Sequence, residues 1–582
     1  MNSMQKSLVA FDTDHIKNYV FGTDRLKEIR GASSLLDRLN RTEMEKAATD
    51  LHINIKNIYA NGGSGLFVVD KDSIKDFVQR VQQVYRKQSK GKASVTYAIQ
   101  DLPEDVSDAN IMTCDLEKEL ELLKYRLIEK KGCPNSVLAL PSHPFITYCS
   151  SCGVEYAEKG SLDAQETGTF YCASCIEKQK EDIRIKNHIS RIIRDLRSYR
   201  IMGAEQVAKF DLWERILWFL DQEKYDLTRS GVDRPEDFNE FRQFAEAKEY
   251  IGLIYADANN MGQIVDTLKS PEKREIFAFE VDKAIHQAMA IAIKQYLPIV
   301  DIVRNGKSEP VFPFDILLVG GDDIVMVTNA AKAMDVALTV ATRFRELANN
   351  ERIRKLTSIK LSLCVGVVLA PIKYPFGLLQ DMAESALKFA KTAAANDKEE
   401  VKDQKERDAF DGTRINFQVV TGGSHPNFNE TYKKTYQKVD KNRFLEFHAS
   451  LRAYKPEDLE LLLNAIREGH RLNLGRTKLH QLREAILEKN LTTSVQKGLA
   501  TLRNWREKQR TYVVGQVYGF GQRRQMQRSD PRNPISDFPH VTFPWFADGT
   551  HKERNVYRTS LLDFIELYDF VTREGGNNGD EV

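Results

Sequence analysis

No apolar run in this sequence approaches the roughly 20 residues that a membrane-spanning helix needs. The first residues, Met-Asn-Ser-Met-Gln-Lys-Ser, meet a charge before any apolar stretch, so no secretory leader is expected there. Neither sign of charge dominates. The 85 Lys and Arg against 83 Asp and Glu leave a formal +2, so any polyanion-binding surface must be local. Two common signatures are also missing, the Gly-x-x-x-x-Gly-Lys-Ser/Thr phosphate loop and the Gly-x-Ser-x-Gly elbow, which argues against hydrolases of those kinds. Cysteine is sparse, with seven in 582 residues, and four of the seven form two close pairs. That spacing suits a metal in a reducing compartment better than a disulfide framework. The expectation is a soluble, cytoplasmic, multidomain chain with no membrane partner.

What is present centres on Phe314–Thr328, Phe-Asp-Ile-Leu-Leu-Val-Gly-Gly-Asp-Asp-Ile-Val-Met-Val-Thr. Two apolar, β-branched runs around a glycine-bearing turn read as a β-hairpin. Its tip carries Gly320, Gly321, Asp322 and Asp323. Adjacent carboxylates repel each other; a divalent cation relieves that repulsion, and the glycines let a phosphate approach the backbone. A solvated Asp-rich turn is the alternative. Upstream, Tyr250–Asp257 is apolar until its last residue and is followed by Ala258-Asn259-Asn260-Met261-Gly262 and a helix-like stretch. An acid at a strand end beside the N–H groups of a helix start suits a metal-bound triphosphate. If the hairpin pairs with this strand, Asp257, Asp322 and Asp323 converge on one or two Mg²⁺ or Mn²⁺ ions.

Two stretches share the order β-α-β-β-α-β of a ferredoxin-like or palm fold. The first runs from strand Leu8–Asp12 through a helix at 24–47 and a hairpin around Asn61-Gly62-Gly63-Ser64-Gly65 to a strand at Ala93–Ile99. The second runs from Ile251 to Val420 with a longer insertion, and a charged run at Asp397–Asp411 reads as a solvated loop. Aligning Gly62-Gly63-Ser64-Gly65 with Gly320-Gly321-Asp322-Asp323 leaves the first copy without hairpin acids, hence catalytically silent. Asp12 and Asp14 end its first strand; Asp12 is either a ligand residue or a helix-capping acid.

Between the copies lie Cys149-Ser150-Ser151-Cys152 and, after 19 residues, Cys172-Ala173-Ser174-Cys175. This spacing matches a four-thiolate structural Zn²⁺ ribbon, redox pairs being the alternative. Cys114, Cys133 and Cys364 have no ligand spacing and read as packed thiols. Residues 176–200 predict a basic helix with an apolar face at Ile185, Ile189, Ile192 and Leu196, either a solvated helix or an RNA or protein contact. Beyond Gly423, helices are expected at 459–468, 478–489 and 492–508. The region holds Arg503, Arg506, Lys508, Arg510, Arg523, Arg524 and Arg528 near Trp505 and Tyr512, compatible with nucleic acid or with a cap on other subunits. The Gly- and Asn-rich tail after Arg573 reads as disordered.

Taken in order, Phe11-Asp12-Thr13-Asp14, Gly31-Ala32-Ser33, Tyr59–Gly65, the cysteine pairs, Asp257–Gly262 and Gly320–Asp323 resemble the large polymerase-like subunit of type III CRISPR effector complexes, in its III-B-like form. The resemblance implies an α+β chain of two palms with an inserted zinc ribbon and helical middle and C-terminal domains. The expected bounds are a silent palm at 1–140, the ribbon at 141–180, a helical domain at 181–247, the second palm at 248–423 and a helical domain at 424–582. It implies cyclic oligoadenylate synthesis from ATP by two-metal chemistry, triggered by target RNA and with guide RNA-bound effector subunits as partners. Carried over by position, Asp257 and Asp322 would hold Mg²⁺ with the carbonyl of Ala258, and Asp323 would complete the site. Backbone N–H groups of Asn260, Met261 and Gly262, with Gly320, Gly321 and Lys391, would bind nucleotide. From the residues alone, Lys391 reads as a solvated helix charge. Two departures stand out: no His-Asp dipeptide occurs, so no HD nuclease is expected, and Asn259 stands where related palms often carry a second acid. A non-catalytic scaffold subunit and a stand-alone cyclic dinucleotide synthase are the alternatives.

Overall fold

The computed structural model describes residues 5–131, 147–160, 168–244, 249–421, 425–488, 490–519, 543–551 and 554–572. The first palm comprises β1 Lys6–Thr13, α1 Ile16–Val20, α2 Leu26–Arg38, α3 Met44–Asp50, β2 Ile55–Asn61, β3 Ser64–Asp70, α4 Ile74–Gln88 and β4 Val95–Asp101. The strands form an antiparallel sheet in the order β2-β3-β1-β4, the ferredoxin-like arrangement. Both faces are covered. Val9, Phe11, Phe67 and Val69 pack with the helices, whereas Leu8, Ala10, Leu66 and Val68 pack against α5, Glu117–Lys131, through Leu120 and Leu123. That double burial is why β1 and β3 read as unbroken apolar runs rather than alternating ones.

The ribbon supplies a two-stranded pair, β5 Lys159–Gly160 and β6 Phe170–Tyr171, and then α6, Ala173–Arg194. Gly31 permits α6 to lie directly on α2: a Cβ there would come within 2.0 Å of the Lys178 carbonyl oxygen. Three of the basic residues of α6 and its continuation are paired with acids of this chain. Arg184 pairs with Glu181 and Asp211 at 2.7 Å, Lys186 with Asp233 at 2.6 Å and Arg200 with Asp221 at 2.7 Å.

The second palm is β7 Tyr250–Ala258, helices Met261–Thr267 and Pro271–Tyr296, hairpin β8 Val300–Arg304 and β9 Lys307–Val311, then β10 Phe314–Gly320 and β11 Asp323–Asn329. Helix Ala330–Leu347, β12 Leu363–Pro371, helix Phe376–Glu399 and β13 Arg414–Val419 complete it. The sheet order is β10-β11-β7-β12-β13, with only β12 and β13 parallel. Residues Leu253, Tyr255, Val325 and Val327 join the apolar cluster of the first palm; Ile254, Ala256, Ile324 and Met326 face the cluster under helices 271–296 and 330–347. The two palms therefore share a core, and their relative placement is set by burial. The charged run at 397–411 is not the expected loop. Helix Phe376–Glu399 continues into it and a short helix, Gln404–Asp408, follows, while Asp411 is tied to Arg345 at 2.8 Å.

Helices Pro456–Arg471, Arg476–Leu487 and Leu491–Arg503 follow the second palm as expected. A four-stranded sheet that the pattern did not reveal joins them: β14 Gln437–Asp440, β15 Leu445–His448, β16 Phe546–His551 and β17 Arg554–Arg558, in the order β14-β15-β17-β16. Strands of four to six residues with polar sequences such as Gln-Lys-Val-Asp carry little periodicity. Trp505 is buried, so it contributes to this core and is no stacking platform for a base. Cys364 is buried and Cys114 half-buried, whereas Cys133, Arg523, Arg524, Arg528 and the tail after Arg573 lie outside the described residues. Among the described residues, no helix is long and apolar enough to cross a membrane.

Candidate active site

β10 is buried from Phe314 to Val319 and β11 from Ile324 to Asn329, so only the hairpin tip emerges from the core. Gly321 takes a φ of 56°, which glycine adopts without steric cost, and Gly320 pairs with Asp323 across the turn. β11 then places Asp323 opposite Asp257 of β7, with Cys364 opposite Asp257 on the other side. The carbonyl of Asp322 accepts the Ala258 N–H at 3.3 Å. The three predicted acids thus meet at one end of the sheet, supplied by two segments more than sixty residues apart in sequence. They do not form a tight cage. Among the described residues, only the four cysteines and His188, Asp211 and Glu214 bring three or more ligand atoms within 4.8 Å of one another. The second of these sets is occupied within the chain: Asp211 and Glu214 make the capping box of helix Leu212–Gln222, and Arg184 pairs with Asp211.

Lys391 adds a cation to the group. It projects from helix Phe376–Glu399 and sets its Nζ 2.6 Å from Asp257 Oδ2, so it is a partner of the acids and not a solvated charge. Among the described residues, the hairpin acids have no cationic partner as close. Burial, with Asp257 beside it, raises the Asp322 carboxyl to about 6. Burial, with Asp257 and Asp322 beside it, raises Asp323 to about 8, against the pull of Lys17 and Lys391. Partly desolvated acids that repel one another form a donor set that hard divalent cations fit, since oxygen ligands and charge neutralisation are what Mg²⁺ and Mn²⁺ require.

Asn259 faces away from the acids. Its Nδ2 donates to Ser362 Oγ at 3.0 Å and to the Gly412 carbonyl at 3.1 Å, tying the end of β7 to the approach to β12 and β13. Asn260, at φ 65°, is the N-cap of helix Met261–Thr267, so the N–H groups of Met261 and Gly262 stand in its first turn, where intrahelical partners are lacking.

The first palm completes the site. A cavity of about 390 Å³ is lined by His15, Lys17 and Asn40 of the first palm and by Gly320, Asp322 and Asp323 of the second. The two hairpin tips abut, since a Cβ on Gly62 would come 2.8 Å from the Gly321 nitrogen. The alignment of the tips is shifted by one residue from that expected. Asn61 pairs with Ser64 as Gly320 pairs with Asp323, so Gly63 and Ser64 stand where Asp322 and Asp323 do. Asp12 caps no helix; α1 begins after His15, which makes no side-chain cap, and Asp12 pairs with Lys131 of α5. Sequence reading missed His15, Lys17 and Asn40. The signal that pointed to them was the repeat itself, because two glycine tips packed together bring the segment after β1 to face the second hairpin.

At the ribbon, the Sγ atoms of Cys149, Cys152, Cys172 and Cys175 all lie within 4.8 Å of one another. Cys172 also caps α6, its sulfur accepting the Cys175 N–H at 3.4 Å. Four thiolates gathered this closely fit tetrahedral Zn²⁺, with Zn–S bonds of about 2.3 Å.

Residues 250–402 match the family model described as Cas10/Cmr2, second palm domain. No curated protein matches the chain. Among solved structures, a Csm1–Csm4 cassette in complex with one ATP aligns at 13% identity over 98% of this chain and 70% of that one, with a TM-score of 0.46. A Csm1–Csm4 cassette with cA3 aligns at 12% identity over 98% and 70%, with a TM-score of 0.46. Csm1 in T. onnurineus aligns at 14% identity over 98% and 70%, with a TM-score of 0.44. The hairpin acids, the strand end of Asp257 and Lys391 all fall inside residues 250–402, the segment that is similar to the second palm domain of the Cas10/Cmr2 family.

Proposed function

We propose that this chain joins ATP molecules into cyclic oligoadenylates as the palm subunit of a type III CRISPR effector complex, with guide-directed target RNA as its activator. The observation that carries the reading is the register that sets Asp323 opposite Asp257, with Asp322 at the adjoining turn, beside a cavity walled by both palms. When bound, paired divalent cations supply the Lewis acidity that activates a 3′-hydroxyl and steadies a departing pyrophosphate. Asp257, Asp322 and Asp323 would hold them, with the Ala258 carbonyl as a further oxygen donor. Lys391 exchanges its contact with Asp257 for a triphosphate oxygen once the acid is engaged elsewhere, so a positive charge stays beside the acids throughout. The first turn of helix Met261–Thr267 offers N–H groups of Met261 and Gly262, with Asn260, to phosphate oxygens. Gly62 and Gly321 bring the two palms close enough for one nucleotide to be gripped from both sides. Positioning and charge neutralisation then lower the barrier.

The test is incubation of the purified chain with ATP and Mn²⁺ or Mg²⁺, with and without effector subunits carrying guide and target RNA, followed by chromatography of the products. Cyclic oligoadenylates that vanish on joint replacement of Asp322 and Asp323 by alanine support the reading. A chain that binds the complex yet makes no product acts as a scaffold, and a cyclic dinucleotide made without RNA identifies a stand-alone synthase.

A further inference from the structure

The ribbon and the cavity meet at opposite sides of one short helix. Ile16, Lys17 and Asn18, in the first turn of α1, line the cavity. The residues that follow are held by the ribbon and its helix. The Tyr19 carbonyl accepts a hydrogen bond from Lys178 Nζ at 2.6 Å, and the same ammonium lies 4.3 Å from the Tyr19 ring centroid. Thr23 Oγ1 is 2.7 Å from Oγ of Ser151, which lies inside the first cysteine knuckle. The Arg25 guanidinium stacks 5.3 Å over the ring of Tyr171, the residue before Cys172. A helix of five residues cannot maintain itself, so its place is decided by what it packs on.

Lys178 is the joint in this arrangement. It is 5% exposed and stands one turn beyond Cys175 on α6, within electrostatic reach of Cys175, Cys152, Cys172 and Glu28. Four thiolates around one divalent cation carry a net negative charge, and a buried ammonium is tolerated beside it because the opposite charges offset each other's desolvation. One group therefore balances the cysteine site and fixes the position of α1.

We propose that the four-cysteine site sets the first-palm wall of the nucleotide cavity through Lys178, which is a positioning residue for ligand binding at α1. The proposal rests on reading that cavity as the nucleotide site. It gives the ribbon a task beyond folding: loss of the metal frees the first turn of α6, withdraws Lys178 from Tyr19 and loosens Ile16, Lys17 and Asn18.

The experiment is hydrogen–deuterium exchange on the full zinc-loaded chain, the zinc-stripped chain and the variants Lys178→Met, Lys178→Arg and Ser151→Ala. Each is paired with titration of an ATP analogue whose α–β bridge is a methylene. Stripping zinc or removing the ammonium is expected to raise exchange over 16–22 roughly tenfold, the loss of one charge-assisted hydrogen bond. Exchange over 250–258 and 314–329 stays at the wild-type level. The analogue weakens by a similar factor in Lys178→Met and recovers in Lys178→Arg, which a merely space-filling role would not produce. Ser151→Ala, a milder change, raises exchange over the same residues by less. Unchanged exchange over 16–22 after zinc removal or in Lys178→Met overturns the proposal, as does a rise spread evenly over the chain in every variant. If the wild-type chain does not bind the analogue, the nucleotide reading fails, while the exchange data still decide whether the ribbon holds α1.

Discussion

In the first palm Asp12 ends the central strand opposite Ser64, and in the second Asp257 ends it opposite Asp323. The equivalence continues outward. Asp12 pairs with Lys131 on the helix after β4, and Asp257 with Lys391 on the helix after β12. His15 and Asn260, both in the left-handed region, begin the next helix in each copy. Asp14 receives hydrogen bonds from Ser94 and Thr96, and Asn259 reaches Ser362 and Cys364. This position tethers the strand end to its neighbour in both palms, a task that an aspartate performs in one and an asparagine in the other. The strand acid and its lysine persist in both copies; the hairpin acids are confined to one. Chemistry therefore separates the palms at Gly63 and Ser64 against Asp322 and Asp323, while shared backbone geometry keeps them interlocked at the tips.

The largest effect expected from breaking this asymmetry comes from the hairpin acids. Replacing Asp322 and Asp323 by asparagine should lower oligoadenylate formation by roughly a thousandfold or more in a labelled-ATP assay, since the donors that would hold the cations are gone. Ser64→Asp should leave the rate unchanged, because a single added acid in the first palm lacks its neighbour on the turn. Next in size is the lysine pair. Lys391→Ala should cut the rate by about 10- to 100-fold through loss of one charge-assisted contact, as steady-state kinetics would read, whereas Lys131→Ala should have no comparable effect.

A smaller effect is expected where the tips touch. Gly62→Ala places a methyl group against the Gly321 nitrogen at a φ of 60°, so the melting temperature should fall, at a cost of about 1–3 kcal/mol. The equivalent change at the exposed Gly91, at φ 80° with open space around it, should cost less. The smallest is a slope with pH. Asp322 is raised to about 6 and Asp323 to about 8, so between about pH 4 and pH 8 these two groups hold more protons in the folded chain than in the unfolded one. Their contribution to stability without divalent ions should therefore fall as pH rises through that window, most cleanly above about pH 6.5, where His286 and His448, lowered by burial to about 4, no longer oppose it. Added Mg²⁺ or Mn²⁺ should raise the melting temperature more at pH 8 than at pH 5. Asp323→Asn should flatten both trends, a result that calorimetry can check.

Much of the second palm was legible before any coordinates. The strand Ile251–Asp257, the hairpin and the strand at 414–420 carry strong apolar signals and sharp polar ends, and each lies within a residue or two of its observed place. The first palm was equally legible as a repeat, although its hairpin was aligned one residue too far along. Glycine-rich turns have no side-chain pattern to settle register; the Asn61–Ser64 pairing does so only once β2 and β3 are joined. The charged stretch at 397–411 was misread as a loop because helix and loop look alike when nearly every residue is charged. The sheet formed by β14 to β17 escaped for the opposite reason, since short polar strands acquire their identity from partners over a hundred residues away.

What residue order determined on its own was the set of chemical groups: three acids on two apolar strands, a lysine on a late helix, and four cysteines at metal spacing. These are local facts, written in burial pattern and turn chemistry. Only the tertiary structure decided that Lys391 rests on Asp257, that Asn259 turns away, and that His15 and Lys17 face Asp322 across a shared cavity. Such contacts depend on how two sheets and a ribbon pack, and packing is fixed by long-range burial that no stretch of sequence carries alone.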